Sequence, residues 1–404
     1  MKLIIVLLLF LGSLSNILGQ DLNSYINTAL ESNPDVQAFE LKYERVQEKV
    51  NEANTLPNIQ LSAGVFISEP ETRTGAQTFR LSARQMFPWF GTITARENYA
   101  NAMADAEYVD IAIVKRKLAM SVTQSYYNLY AIKTKQNVLR ENIQLLKTHE
   151  KLALTAIKVG KASAVDVLRL QIRQNELDEK IQVLQQEFLA EQTAFNNLLN
   201  RDNEIGVNVP HSLNFTLDSY FLNNDLTLQP ELTKYDKLFE SIEQSELLNQ
   251  KESQPQIGLG LDYINVSERP DLDFSDNGKD ILMPMVSVSI PVFNKKYKSK
   301  TAQNELKQQE LKAQQQSRFN TLETLLNTAL KKQEAAKISY SILEKNLKQA
   351  KNAETILVKT YETGVVDFDE VLDIQELQLK FQTNQIEAIK NHYTQQAIIH
   401  YITN

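Results

Sequence analysis

Apolar residues recur at alternating steps of three and four over two very long stretches of the chain. The first series is Leu118, Val122, Leu129, Ile132, Leu139, Ile143, Leu146, Ala153 and Ile157, with Ser125, Gln136 and Glu150 at the intervening steps. The second is Leu322, Leu326, Ala329, Ala336, Tyr340, Leu343, Leu347, Ala350, Leu357 and Tyr361, interrupted by Gln333 and Glu354. A seven-residue repeat sustained this long predicts coiled-coil packing of helices rather than a helix laid on a globular core. Both series place a Glu at the same step. The helical pattern runs from about residue 93 to 159 and again from about 296 to 362, and at roughly 1.5 Å per residue each helix reaches on the order of 100 Å. Shorter helical patterns at about 164–200 and 368–401 would return antiparallel beside them.

A second periodicity, of two, marks four shorter runs. Residues 58–67 place Ile59, Leu61, Ala63, Val65 and Ile67 on one face, and residues 78–87 place Phe79, Leu81, Ala83 and Phe87 opposite Arg80, Ser82 and Arg84. Later, Ile257, Leu259, Leu261 and Tyr263 alternate, as do Val286, Val288 and Ile290 against Ser287 and Ser289. Each run has the length of a strand crossing a bilayer at a tilt, and also suits a hairpin of a soluble sheet. Four strands cannot close a barrel, so a membrane reading requires several copies of the chain. Pro284 inside the last run fits only an edge or a bulge.

The two patterns are parts of one duplication. "NPDVQAF" is echoed by "QPELTKY", "LPNIQLS" by "QPQIGLG", "MFPWFG" by "SIPVFN", and Gly160 by Gly364. The predicted division is a secretory leader at 1–20, a first repeat at 21–200, a connection at 201–229 and a second repeat at 230–404. The leader reading rests on Lys2, the apolar run behind it and the small and polar residues that follow. The expected class is mainly α with a small β part, built of long antiparallel helical hairpins.

Composition narrows the function. A formal charge of -7 with no basic block offers nothing to a nucleic acid. With 11 Gly and 10 Pro in 404 residues there is little material for compact, loop-rich domains. No Cys is present, so neither a disulfide framework nor a lipid-modified N-terminal Cys is expected. His149, His211, His392 and His400 are scattered without metal-ligand spacing, and no nucleophile, base and acid fall into a catalytic arrangement; no enzyme, metal or cofactor is expected.

Chemistry concentrates instead at the two Gly turns. Gly160 and Gly364 supply the backbone freedom needed to end one helix and start its return. Ser163 with Asp166, and Asp367 with Glu370, have the spacing of helix N-caps with an acid at the third position. Capping leaves Asp373 unexplained, one turn beyond Glu370. Trp89, between Phe87 and Phe90 at a strand-to-helix passage, suits either a membrane interface or a plain apolar plug.

The duplicated order, the "NP" opening, the strand endings "FPWFG" and "IPVFN", and the turn word "G(x)5[DE]VL(x)2Q" in both halves together resemble the TolC-like outer-membrane efflux family. The resemblance implies a homotrimer whose strands, four per chain, form one twelve-stranded barrel in the outer membrane of a Gram-negative bacterium. An α-barrel would continue it into the periplasm, where a periplasmic adaptor and an inner-membrane transporter dock. It also implies site residues: Glu370 and Asp373 at the narrowest ring of the periplasmic gate, Tyr361 and Asp166 as a latch between hairpins, and Val159, Gly160, Ser163 and Gly364 at adaptor-contacting tips. Val366 stands where the family has a latch Arg. A soluble periplasmic coiled-coil adaptor or tether is the alternative that the strands must decide.

Overall fold

The computed structural model describes residues 22–158, 160, 163–213, 215, 226–271, 273–363 and 365–403. The expected leader, Val159 and Gly364 lie outside the described residues. The described elements begin with α1 (Leu22–Ser32) and α2 (Pro34–Ala53), then strands β1 (Gln60–Val65), β2 (Glu71–Thr72) and β3 (Gly75–Phe87). Two long helices follow, α3 (Thr92–Lys158) and α4 (Ala164–Leu198). The second half runs α5 (Pro230–Glu252), β4 (Gln256–Ser267), β5 (Ile281–Ser289), α6 (Lys295–Glu362) and α7 (Phe368–Thr403).

The "NP" word has a local cause. Asn33 Oδ1 accepts the Asp35 N–H at 2.9 Å, which makes Asn33 the cap of α2, and Pro34 takes the first helical position, where its missing N–H costs nothing. Pro230 opens α5 in the same way. The cap is also pinned from outside: Asn33 Nδ2 donates to the Leu198 carbonyl at 2.9 Å and Ser32 Oγ to that of Leu199 at 2.7 Å.

The chain divides into two units. The helical unit comprises residues 1–38, 112–229 and 319–404. Its buried positions follow the seven-residue pattern: Leu118, Val122, Ser125, Leu129, Gln136, Leu139, Leu146 and Ala153 on α3, and Leu322, Leu326, Ala329, Ala336, Ala350 and Tyr361 on α6. One core joins Tyr25, Val36, Val122, Leu129 and Phe195, where the Tyr25 and Phe195 rings meet edge to face at 5.1 Å. A second draws on all four long helices: Leu139, Leu146 and Ala153 of α3, Val167 and Leu170 of α4, Tyr361 of α6, and Phe368 and Val371 of α7.

His392 shows what burial does in this unit. It is 7% exposed, its ring packs edge-on to Phe215 at 4.8 Å, and its Nδ1 has no hydrogen-bond partner. Burial first, and then the charge of Lys337, push its pKa down to about 4. The unfolded chain therefore takes up a proton near pH 6.5 that the fold refuses until about pH 4. Stability contributed by this site is complete above pH 6.5 and is lost as pH falls toward 4, by an amount on the order of 3 kcal/mol. The thermal midpoint should thus fall less between pH 7 and pH 4.5 in His392→Phe than in the wild type; equal falls would exclude His392 as the source.

The second unit comprises residues 39–111 and 230–318 and contains the sheet. Strand order is β1-β3-β4-β5, antiparallel throughout, with the two-residue β2 paired to one end of β3. The registers Ala63↔Leu81↔Tyr263↔Leu282 and Leu61↔Ala83↔Leu261↔Pro284 carry one apolar face across every long strand. That face is bare: Leu61 and Val65 are 78% exposed and Val286 74%. The opposite face is mixed: Ser62, Arg80, Ser82, Arg84 and Asp262 share it with Ile264, Met283 and Met285. Asp262 is fully buried and ion-paired to Arg80. Pro284 lies on β5, an edge strand of this sheet, which is where a residue without an N–H belongs. Among the described residues no helix is long and apolar enough to cross a membrane.

Candidate functional site at the two helical turns

The first turn is built as its residues dictate. α3 ends at Lys158, and Gly160 sits at φ +72°, a left-handed conformation that costs an L residue energy but not glycine. Its N–H donates to the Ile157 carbonyl at 3.0 Å, and a Cβ there would meet nothing, so conformation rather than space demands the glycine. Ser163 then caps α4: its hydroxyl accepts the Val165 N–H at 3.1 Å, and Asp166 Oδ2 accepts the Ser163 N–H at 3.0 Å. The expected capping box is present.

The second turn differs. The Glu370 N–H reaches only the Asp367 main-chain carbonyl, at 3.4 Å, and no side-chain cap from Asp367 forms among the described residues. The expected second capping box is therefore absent: the Glu370 carboxylate is turned out to solvent instead of back to the main chain. Asp369, which the spacing did not single out, is ion-paired with Arg169 of α4. One turn on, Arg173 Nη2 lies 3.3 Å from Glu376 of α7, while its Nη1 holds Glu176 at 2.7 Å. A cleft between α4 and α7 thus holds two arginines against Asp369, Asp373, Glu176 and Glu376. Glu370 and Asp373 themselves are exposed and make no ion pair or hydrogen bond through their side chains among the described residues. Carboxylates spared for solvent in a single copy remain available to whatever that surface faces in an assembly.

Tyr361 and Asp166 do not hydrogen-bond to each other in the single chain. Tyr361 is buried, its ring edge-on to Phe368 at 4.9 Å, and its hydroxyl has no partner. Burial raises the pKa of that hydroxyl, and the negative charge of Asp166 raises it further, so the two groups sense one another without touching. A buried hydroxyl left without a bond costs about 1–3 kcal/mol.

Behind both turns lies a motif that the heptad pattern half revealed. Glu150 accepts Gln171 and Gln174, one on each oxygen at 2.8 Å; Glu354 accepts Gln375 at 2.9 Å and Gln378 at 2.8 Å. Each carboxylate clips a long helix to its return helix at equivalent places in the two hairpins. The surroundings differ. Gln171 is exposed, whereas Gln375 and Gln378 are 5% and 7% exposed, and the second clip is covered by His149 of α3. His149 Nε2 stands 2.6 Å from Gln375 Nε2 and 4.0 Å from Glu354. Burial lowers the His149 pKa, and Glu354 offsets only part of that. A neutral His149 accepting from Gln375 satisfies the contact, so the second clip also joins one hairpin to the other. The glutamates were visible as interruptions of an apolar series, and Gln171 and Gln375 as the closing Gln of the turn word; Gln174 and Gln378 carried no separate signal.

In the sheet unit, Trp89 is 36% exposed and meets Phe90 edge to face at 5.8 Å, with its carbonyl taken by the Thr92 N–H at the start of α3. Among the described residues no group of three or more metal-ligating side chains comes together.

Comparison with known proteins follows these features closely. The model of the family described as outer membrane efflux protein matches residues 25–201. No curated protein sequence matches significantly. The fold is shared with solved structures across almost the whole chain. CusC, described as forming a transmembrane channel, aligns at TM-score 0.78 and 15% identity over 96% of this chain and 92% of its own. The outer membrane protein VceC of Vibrio cholerae aligns at 0.73 and 16% identity, over 95% and 96%. The MtrE outer membrane channel of Neisseria gonorrhoeae, solved in an open state, aligns at 0.74 and 17% identity, over 95% and 89%.

Proposed function

We propose that this chain is a member of the TolC-like outer membrane efflux family and the exit duct of a tripartite efflux pump or a type I-like secretion system. A periplasmic adaptor and an inner-membrane transporter would deliver substrate, and the duct would pass it to the exterior. The observation that carries the reading is the sheet: its apolar face is bare, and both outer strands, β1 and β5, have an unpaired edge. In water such a face and such edges are an aggregation hazard, and in lipid unpaired backbone groups cost several kcal/mol each. Joining β5 of one copy to β1 of the next removes the edges and turns the apolar face to lipid. Three copies give the twelve-stranded barrel of the family.

The turn residues take their roles from the same reading. Glu370 and Asp373, repeated in each copy, would ring the periplasmic entrance, favouring cations and resisting complete ionisation through mutual repulsion. Arg169–Asp369 and Arg173–Glu376 hold α4 to α7 and support a closed entrance, in place of the charged latch that Val366 removes. Tyr361 and Asp166 would complete it on a small shift. Val159, Gly160, Ser163 and Gly364 would meet the adaptor, and Trp89 the membrane boundary.

Cell fractionation tests the reading against a soluble periplasmic tether. The protein is expected in the outer-membrane fraction, extracted only by detergent; a monomer soluble in plain buffer would sink the duct.

A further inference from the structure

Four lysines occupy the first six residues of α6: Lys295, Lys296, Lys298 and Lys300. No acid accompanies them in that first turn, all four are exposed, and none has an ion-pair partner among the described residues. Positive charge at a helix N-terminus opposes the helix dipole, so these residues destabilise the start of their own helix. Helix formation therefore does not account for them. The equivalent start of α3 has no such cluster: its one cation, Arg96, is spent on Glu252 at 3.0 Å.

The surface beside the lysines is apolar and bare. Ile290 is 62% exposed, Val292 76% and Phe293 92%, and they continue the uncovered face of β5, where Val286 and Val288 are 74% and 57% exposed. The loops at the other end of these strands have the opposite balance. There Arg73 is paired with Asp276, Arg269 with Glu71, and Lys279 with Asp276, while Asp271 and Asp273 remain over. One end of the sheet thus carries free cations and the other free carboxylates. A stretch that passes from an exposed apolar face through Phe293 to unpaired lysines fits the boundary between lipid tails and anionic headgroups, with the long lysine stems lying along the apolar side.

We propose that Lys295, Lys296, Lys298 and Lys300, with Phe293 and Val292, form a binding surface for the phosphate headgroups of anionic phospholipids at one margin of the sheet. The proposal rests on the membrane reading of the sheet. An acidic protein would be served by the lysines but not by the apolar collar that runs into β5 without a break.

The test is thermal unfolding of the detergent-solubilised full-length protein with added dioleoylphosphatidylglycerol, dioleoylphosphatidylcholine or inorganic phosphate. Phosphatidylglycerol should raise the midpoint at lower concentration than phosphatidylcholine, and phosphate alone should do nothing. Changing all four lysines to Gln should weaken the phosphatidylglycerol response at least about tenfold and leave the phosphatidylcholine response intact. Changing all four to Arg should preserve both. Equal responses to the two lipids in the wild type, or a preference that survives the Gln variant, would overturn the proposal. So would a lysine-dependent acidic protein partner together with no lipid preference. Indifference to every lipid would overturn the membrane reading itself and is distinguishable from the other results.

Discussion

Replacing Glu370 by Gln and Asp373 by Asn together raises single-channel conductance in planar bilayers and weakens block by divalent cations by at least about tenfold, equivalent to about 1.4 kcal/mol. Both carboxylates are exposed and have no side-chain partner among the described residues. In the proposed trimer three copies would bring about six of them to one ring, where a divalent cation would neutralise their mutual repulsion. The amides keep the size and much of the hydrogen bonding while removing the charge. Arg169 and Arg173, which share a cleft with Asp373, are ion-paired with Asp369, Glu176 and Glu376. Unchanged conductance and unchanged block would return both residues to the role of solvated surface.

Removing Glu354 should destabilise the helical unit far more than removing its counterpart Glu150. In Glu354→Ala two nearly buried amides each lose one acceptor, Gln375 keeping His149 and Gln378 the Ala350 carbonyl at 3.2 Å, at a cost of about 2 kcal/mol. Gln375 also loses the group that fixes it against His149, so the contact between hairpins loosens with the clip. In Glu150→Ala the freed donors of Gln171 and Gln174 reach water, and the loss should stay within about 1 kcal/mol. Denaturant midpoints of the two variants give the comparison, and hydrogen exchange of the main chain around residues 350–378 should accelerate only in Glu354→Ala. Equal losses would show that the clips act independently of burial. Glu354→Gln provides an intermediate case, since it retains one acceptor oxygen but sets its own amide donor against that of one of the two glutamines.

These two results depend on features that the sequence disclosed unequally. The long helices were legible because a seven-residue apolar repeat survives any amount of surface variation, and Leu118, Val122, Leu129 and Ala153 are buried as their spacing requires. The strands were legible because alternation is strict where one face is bare: Leu61, Leu81, Leu261 and Leu282 share one face. The short β2 and the bulge between Gln77 and Phe79 were not, since both lie at or beyond the margin of the run 78–87 in which the alternation was read.

The turns were legible in part. Ser163 and Asp166 cap a helix as their spacing says, because capping is settled within four residues. Asp367 and Glu370 have similar spacing without the bonds, and Asp369 between them is claimed by Arg169, 200 positions away. No local rule reaches that far. The same applies to His149, whose solitary place in the sequence argued for nothing, and whose ring lies on the Gln375 that completes the second clip. What sequence rules miss here is side-chain pairing between hairpins, the set of contacts on which a gate would turn.

Single-channel recording on the purified wild-type protein bears most directly on the central claim. Added to planar bilayers from detergent, it should insert and give discrete, long-lived conductance steps. Bilayers left unperturbed by protein of native secondary structure would contradict the duct.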